Sequence, residues 1–335
     1  MQKNVLITER IHESGVHDLE QYFNVRVAPD PSFDTLAREI RDADGVLVRT
    51  APITRELLQE AQRLVVMARY GAGYDNVDVA AMTELGILLV NAPTANTISV
   101  AEHTLIVFGA VSKMIRPYDL AVRAHQFNTR NSFQARDLHD KTLGIIGFGK
   151  IGSLVGRKSH AAFDMPVIAY DPYIPDDNIL RYGATRCDTL EELLKTADIV
   201  SLHVPLTTET TGMISRAQLA LMKPSAILVN ISRGGVVDEP ALIDALQRQV
   251  IAGAALDVFA QEPPEQDNPL LQMENVLLTP HSGGLTLEAV IRVAHQAAQG
   301  ITDTLFGRQP KFIVNPEVLQ HPLCRFVRLK AEGKL

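Results

Sequence analysis

The sequence predicts an α/β protein built on doubly wound parallel sheets, and three observations carry that prediction. Short apolar runs of strand length alternate with amphipathic helical patterns from end to end, as successive βαβ units require. The later runs are nearly continuous in Val, Ile, Leu and Ala, which suits strands covered by helices on both faces. The chain has 335 residues, enough for about two domains at the usual 100 to 200 residues each.

In the first array the candidate strands are residues 4–8, 24–27, 45–48, 64–68 and 87–90, separated by helical patterns such as 33–41 and 54–61. Five short strands suit a small flavodoxin-like sheet. Residues 99–116 are apolar at helical spacing and stop at Pro117, which predicts a connecting helix leaving the first domain. A second array comes next, with strands at 142–146, 167–170, 199–203, 226–230, 252–258 and 276–279. Before its fifth strand, Asp238 is placed to cap a helix and Pro240 sits in that helix's first turn. Leu287, Val290, Ile291, Ala294, Ala297, Ile301 and Leu305 mark one more helix over 286–306. It is expected to cross back, giving one discontinuous domain of 1–97 and 286–335 around an inserted domain of 98–285. A short apolar tail lies at 312–314, and the basic end at 325–334 is expected to be a solvated terminus.

Composition narrows the function classes. With 46% hydrophobic and 21% charged residues the chain is an ordinary folded protein, and its net charge of −7 argues against a non-specific binder of nucleic acid or anionic membrane. Cys187 and Cys324 lie far apart with no CxxC spacing, so neither a disulfide framework nor a zinc site is indicated, and no other cluster has metal-ligand spacing. Val5, Leu6 and Ile7 make too short an apolar core for a signal peptide, and 105–111 falls well below the ~18 residues that span a bilayer. A soluble cytoplasmic protein is the expectation.

The strand at 142–146 runs into Gly147-Phe148-Gly149-Lys150-Ile151-Gly152, a GxGxxG that opens a helical pattern. The glycines allow a tight turn and close backbone approach, so that a pyrophosphate can sit on amides at the helix N-terminus. Asp171 ends the next strand, 19 residues after Gly152, where an acidic side chain would take the ribose hydroxyls. Its charge would repel a 2′-phosphate, and Pro172-Tyr173 offer no adjacent arginine, so NAD is expected over NADP. The second domain is therefore Rossmann-type.

Ligands of such sheets lie beyond the carboxyl ends of the strands. Four polar residues stand just after apolar runs: His203, Arg233, Glu262 and His281. Hydride transfer from a 2-hydroxy acid needs a base for the hydroxyl proton, a cation for the carboxylate and a group that steadies the charged base. His281 would take the proton, Glu262 would orient its ring, and Arg233 would pair with the carboxylate in a planar two-point contact.

The motifs at 147–152, 203–207 (HVPLT), 230–238 (NISRGGVVD), 255–259 (ALDVF) with Glu262-Pro263, and 279–284 (TPHSGG) closely resemble the D-isomer-specific 2-hydroxyacid dehydrogenases. Residues 69–78 and 96–103 resemble that family's substrate-loop and hinge-helix motifs, so the resemblance covers nearly the whole chain. It implies that Arg233, Glu262 and His281 are the catalytic trio. It implies that Lys150, Ile151, Asp171, Val204, Pro205, Ile231, Ser232, Asp257 and Gly283 line the cofactor with Gly147, Gly149 and Gly152, and that His203 is a cofactor-side loop residue. Gly71, Ala72 and Gly73 would offer amides to the substrate carboxylate, and the family's habit is a homodimer.

Within the family the likeness is greatest to the phosphoglycerate-oxidising branch, because Arg49 and Arg69 come just after strands of the substrate domain. They have two readings, a grip on a second anionic group of the substrate or structural salt bridges. The chain ends at Leu335, so feedback through a C-terminal regulatory extension is not expected. Glyoxylate or hydroxypyruvate reduction, and a non-enzymatic NAD-sensing protein resembling the fold's corepressors, stay open as alternatives.

Overall fold

The computed structural model describes residues 2–335, which fold as two units: the residues through Asn96 together with Leu285–Leu335, and Thr97–Gly284. The first unit carries five parallel strands, β1 (Asn4–Ile7), β2 (Asn24–Val27), β3 (Gly45–Val48), β4 (Val66–Arg69) and β5 (Leu88–Val90), in the order β2-β1-β3-β4-β5. That is the flavodoxin-like order. Alternate residues of these strands enter two separate cores. Val5, Ile7, Leu47, Val66 and Ala68 pack with Val293, Ala297 and Ile301 of the helix Leu287–Leu305, whereas Leu6, Val46, Val48 and Met67 pack with Leu36, Leu57 and Met82. Both faces are covered, which is why the strands read as unbroken apolar runs.

The second unit holds seven parallel strands, β6 (Leu143–Ile146), β7 (Val167–Tyr170), β8 (Thr185–Arg186), β9 (Ile199–Leu202), β10 (Ile227–Asn230), β11 (Gly253–Leu256) and β12 (Val276–Leu278), in the order β12-β11-β10-β9-β6-β7-β8. The order reverses between β6 and β9, the topological switch point of a Rossmann-type sheet. Register sets the strand ends level with one another. Ile146 pairs with both Tyr170 and Leu202, Leu202 with Asn230, Asn230 with Leu256, and Leu256 with Leu278. The residues after these strands, from Gly147 and Asp171 to Asp257 and Thr279, therefore leave one level edge.

Three expectations need correction. The apolar run at 99–116 is not one helix ended by Pro117: a helix Thr97–Ser112 stops before Met114, which takes a left-handed φ of 55°, and a second helix, Ile115–Arg123, carries Pro117 in its first turn. Proline is tolerated there because first-turn amides have no intrahelical acceptor. The strand β8 was not anticipated, since two residues of mixed polarity carry no periodic signal. The basic end is not a solvated terminus. It forms the helix Arg325–Ala331, with Phe326 buried at 4% exposure and the Arg325 guanidinium donating to the carbonyls of Ala61 (2.6 Å) and Leu64 (2.9 Å). Just before it, the fully buried Asn315 accepts from the Leu89 amide (2.9 Å) and donates to the Ile87 carbonyl (3.0 Å), covering edge groups of β5 that would otherwise lack a partner.

No single helix among the described residues is long and apolar enough to cross a membrane. The most apolar one, Thr97–Ser112, buries Val100, Ala101, Val107 and Phe108 in the core under β6, β10 and β11.

Candidate active site

The glycine-rich turn after β6 supplies the first part of the site. Gly147 has φ +89°, and a Cβ there would fall 2.7 Å from the His203 carbonyl and 2.8 Å from Val204 Cγ1, so the turn lies directly on the His203–Val204 backbone after β9. A Cβ at Gly152 would meet the Gly147 carbonyl at 2.2 Å, which closes the turn onto the helix Lys150–Phe163. Gly149 differs: it caps that helix with no side-chain hydrogen bond, and open space faces its missing Cβ. The first amides of the helix, Lys150, Ile151 and Gly152, have no intrahelical acceptor and carry the positive end of its dipole. A dinucleotide pyrophosphate fits this cradle on charge and on space.

Asp171, at the end of β7, is buried with 8% exposure. Its Oδ2 accepts from the Phe148 amide (2.8 Å) and its Oδ1 from the Tyr173 amide (2.9 Å). The sequence points to a ribose ligand; the structure adds that the carboxylate also ties the glycine turn to β7. Each oxygen keeps a lone pair for a ribose hydroxyl. Across the turn, Val204 and Pro205 are half-buried or exposed, and burial pushes the pKa of His203 down to about 4, with Ser201 Oγ 2.9 Å from its Nε2.

Beyond β10, Asn230 shapes the next loop. Its Oδ1 accepts from the Ser232 amide (3.0 Å) and hydroxyl (2.9 Å), and its Nδ2 donates to the Arg233 carbonyl (2.9 Å). Ile231 is buried beneath this turn, and Arg233 Nη1 donates to the Ser232 carbonyl (2.7 Å). A Cβ at Gly234 would sit 1.8 Å from the Phe259 carbonyl, so the Arg233 loop rests against the loop that carries Glu262. Only glycine permits that approach.

Glu262 and His281 meet across these loops. Glu262 Oε2 lies 2.7 Å from His281 Nδ1, and its Oε1 accepts from the Phe259 amide (3.1 Å). Burial alone would raise the Glu262 carboxyl, but the hydrogen bond and charge of His281, the Phe259 amide and the nearby Arg233 charge outweigh it and hold the group below its ordinary range. An ionised carboxylate only accepts, so Nδ1 carries the ring proton and Nε2 is left to exchange one with a ligand. His281 takes a left-handed φ of 51°, and its amide donates to the carbonyls of Asp257 (2.8 Å) and Thr279 (3.1 Å).

The Asp257 carboxylate, 1% exposed for the residue as a whole, is the hub of this loop. Its Oδ1 accepts from the Thr279 hydroxyl (2.5 Å) and the Ser282 amide (2.8 Å), and its Oδ2 from the Gly283 amide (2.9 Å). Sequence reasoning set Asp257 beside a cofactor and missed that it organises the base's loop. It also missed His103, whose Nε2 is 3.1 Å from Thr279 Oγ1. Neither role has a local sequence signal, because the partners are 22 to 26 residues away for Asp257 and 176 for His103.

The first unit holds the remaining candidates at the carboxyl ends of β3 and β4. Arg49 is exposed and has no carboxylate within 4 Å among the described residues, whereas Arg69 is half-buried and donates from Nη1 to the Tyr70 carbonyl (2.5 Å). The loop of Gly71, Ala72 and Gly73 is pinned by Asn91, whose Nδ2 donates to the Ala72 carbonyl (2.7 Å), and by the Ala92 amide on the Gly71 carbonyl (2.9 Å). Gly71 has φ +137°, and a Cβ there would collide with Arg69 Nη1 at 1.8 Å. Glu9, which sequence reasoning passed over, accepts from the amides of Thr50 (2.8 Å) and Ala51 (2.9 Å), bracing the turn that presents Arg49.

Residues 105–283 match the family described as D-isomer specific 2-hydroxyacid dehydrogenase, NAD binding domain. The D-3-phosphoglycerate dehydrogenase of Methanocaldococcus jannaschii is 42% identical over 321 residues, covering 95% of this chain and 61% of the relative. The D-3-phosphoglycerate dehydrogenase of Mycobacterium tuberculosis is 41% identical over 304 residues, covering 90% and 57%. This chain thus spans a little over half the length of those relatives. Among solved structures, D-lactate dehydrogenase from Aquifex aeolicus complexed with NAD and lactic acid is similar at a TM-score of 0.84 and 30% identity, covering 93% of this chain and 99% of that one.

Proposed function

This chain belongs to the D-isomer-specific 2-hydroxyacid dehydrogenase family, and from that premise we propose that it is an NAD-dependent oxidoreductase interconverting a D-2-hydroxy acid and its 2-oxo acid, with a phosphoglycerate-like substrate favoured. The observation that carries the reading is the 2.7 Å contact between His281 Nδ1 and Glu262. It fixes the tautomer in which Nε2 can accept the hydroxyl proton, and it supplies a carboxylate to stabilise the imidazolium that results. NAD, when bound, supplies the hydride acceptor. The amides of Lys150, Ile151 and Gly152 would hold its pyrophosphate and Asp171 its ribose, with Val204, Pro205, Ile231, Ser232 and Gly283 lining the same edge.

In the oxidising direction, His281 Nε2 takes the proton from the substrate hydroxyl as hydride leaves carbon 2; in reduction the same nitrogen returns it. Arg233 binds the substrate carboxylate and polarises the carbonyl, a planar pairing that lysine does not reproduce. The amides of Gly71, Ala72 and Gly73 would donate to a substrate carboxylate, and Arg49 with Arg69 would hold a remote anionic group. The exposure of Arg49 and the absence of an ion pair on it among the described residues favour this role over a structural salt bridge.

We further propose a homodimer, supported by the exposed apolar residues Ile106, Ile115, Leu120, Val122, Phe127 and Phe133 of one stretch of the second unit. Cys187 and Cys324 are both buried and unpaired, which supports the reducing cytoplasm.

The test is NADH oxidation with glyoxylate, hydroxypyruvate, phosphohydroxypyruvate, pyruvate and 2-oxoglutarate, beside His281→Ala. Phosphohydroxypyruvate is expected to give the highest kcat/KM, and His281→Ala to cost about 10² to 10⁴ in kcat. Preference for glyoxylate or hydroxypyruvate reassigns the substrate. NADH binding without turnover on any acid overturns the enzyme reading in favour of an NAD-sensing interaction protein.

A further inference from the structure

We propose that His103, in the middle of the helix Thr97–Ser112, is a positioning residue for the proton-transfer group: it holds the Thr279 hydroxyl on the Asp257 carboxylate and so fixes the loop that presents His281. The proposal rests on the reading of His281 as the acid/base.

The loop at 279–283 needs several restraints at once, because His281 sits at φ 51°, where a side chain with a Cβ is strained. Asp257 provides four of them. Its carboxylate receives the Thr279 hydroxyl and the Ser282 and Gly283 amides, and its carbonyl receives the His281 amide. The carboxylate is almost fully buried, so its orientation depends on the donors around it.

His103 completes that set from the opposite side. Its Nε2 is 3.1 Å from Thr279 Oγ1 and 3.7 Å from Asp257 Oδ1. A Cβ at Gly283 would lie 3.2 Å from His103 Cδ2, so the imidazole also packs against the far end of the loop. The direction of the hydrogen bonds comes from proton counting. The Thr279 hydroxyl has one hydrogen and gives it to Asp257 at 2.5 Å, so toward His103 it can only accept. His103 therefore carries a hydrogen on Nε2, and the chain runs His103 Nε2–H to Thr279 Oγ1–H to Asp257. Without that donor the hydroxyl is free to rotate away from Asp257, and an emptied imidazole site beside Gly283 lets the loop relax.

A small displacement of His281 at the point of proton transfer is enough to cost about 10²-fold in rate. Three readouts separate positioning from simple packing. His103→Leu is expected to lower kcat at least about tenfold, with the KM for the oxo acid and the Kd for NADH within about threefold of the parent. His103→Gln, which keeps an N–H at similar reach, is expected to recover most of that kcat. His103→Leu and Thr279→Val together are expected to cost scarcely more than either alone, as members of one chain do.

Wild-type kcat in His103→Leu, or no recovery in His103→Gln, overturns the proposal. Should His103→Leu fail to fold, the Thr279 pair decides: Thr279→Ser keeping kcat while Thr279→Val loses it supports the chain, and unchanged kcat in Thr279→Val overturns it. Nitrogen NMR of the His103 ring is expected to show the Nε2–H tautomer at neutral pH, and the Nδ1–H tautomer overturns the proposal without reference to activity. Full activity in His281→Ala is a different result, which removes the acid/base reading itself.

Discussion

His203 and Glu262 show how one edge of a sheet pushes two titratable groups in the same direction for opposite reasons. Burial opposes the charged form of His203 and lowers its pKa to about 4. At Glu262 burial favours the neutral acid, and His281, the Phe259 amide and Arg233 together reverse that preference. Stability depends on pH accordingly. The unfolded His203, near pKa 6.5, binds a proton that the folded one refuses until about 4, so stability falls as pH drops between those values. The loss from pH 7 to pH 5 is about 2 kcal/mol. Urea unfolding at the two pH values measures it. His203→Gln is expected to remove most of the difference, and an unchanged pH dependence in that variant would show that His203 is not its source. Glu262, with its folded pKa depressed, contributes stability that is present at neutral pH and is lost only below the ordinary carboxylate range near about 4.3.

The glycine turn between β6 and the helix Lys150–Phe163 works as an element because its three glycines do different jobs. Gly147 and Gly152 make room for protein backbone, and Gly149 leaves space open to a ligand. Gly152→Ala places a methyl 2.2 Å from the Gly147 carbonyl, which must push the turn outward. NADH affinity is expected to fall at least about tenfold in this variant, with destabilisation of about 1–3 kcal/mol, the usual cost of overpacking. Fluorescence titration with NADH checks the first and thermal unfolding the second. Wild-type affinity in Gly152→Ala would mean that the turn does not hold the cofactor.

At the scale of the whole molecule, the largest departure from expectation is the end of the chain. A stretch with Arg325, Arg328, Lys330 and Lys334 reads as solvated because charge dominates a local window. Burial of Phe326, and a guanidinium satisfied by two carbonyls near the start of β4, have no local pattern to announce them. Phe326→Ala is expected to destabilise the first unit by about 3–4 kcal/mol, as deletion of a buried aromatic ring does, whereas a solvated terminus would tolerate it within about 0.5 kcal/mol. Chemical denaturation distinguishes the two.

By itself the sequence determined that parallel strands alternate with helices, where nearly all of those strands lie, and which residues come after them: Gly147, Asp171, Arg233, Glu262 and His281. These signals are local, because burial of both faces imposes unbroken apolar runs and a phosphate cradle imposes closely spaced glycines. The tertiary structure alone decided the strand order, the register that brings the strand ends level, the tautomer of His281, and the convergence of His103, Asp257 and Thr279 on its loop. It also decided that Met114, rather than Pro117, breaks the long apolar helix, and that Asn315 covers the edge of β5. Each of these depends on hydrogen bonds or packing between residues distant along the chain, or on a single backbone angle, and neither leaves a periodic trace in composition.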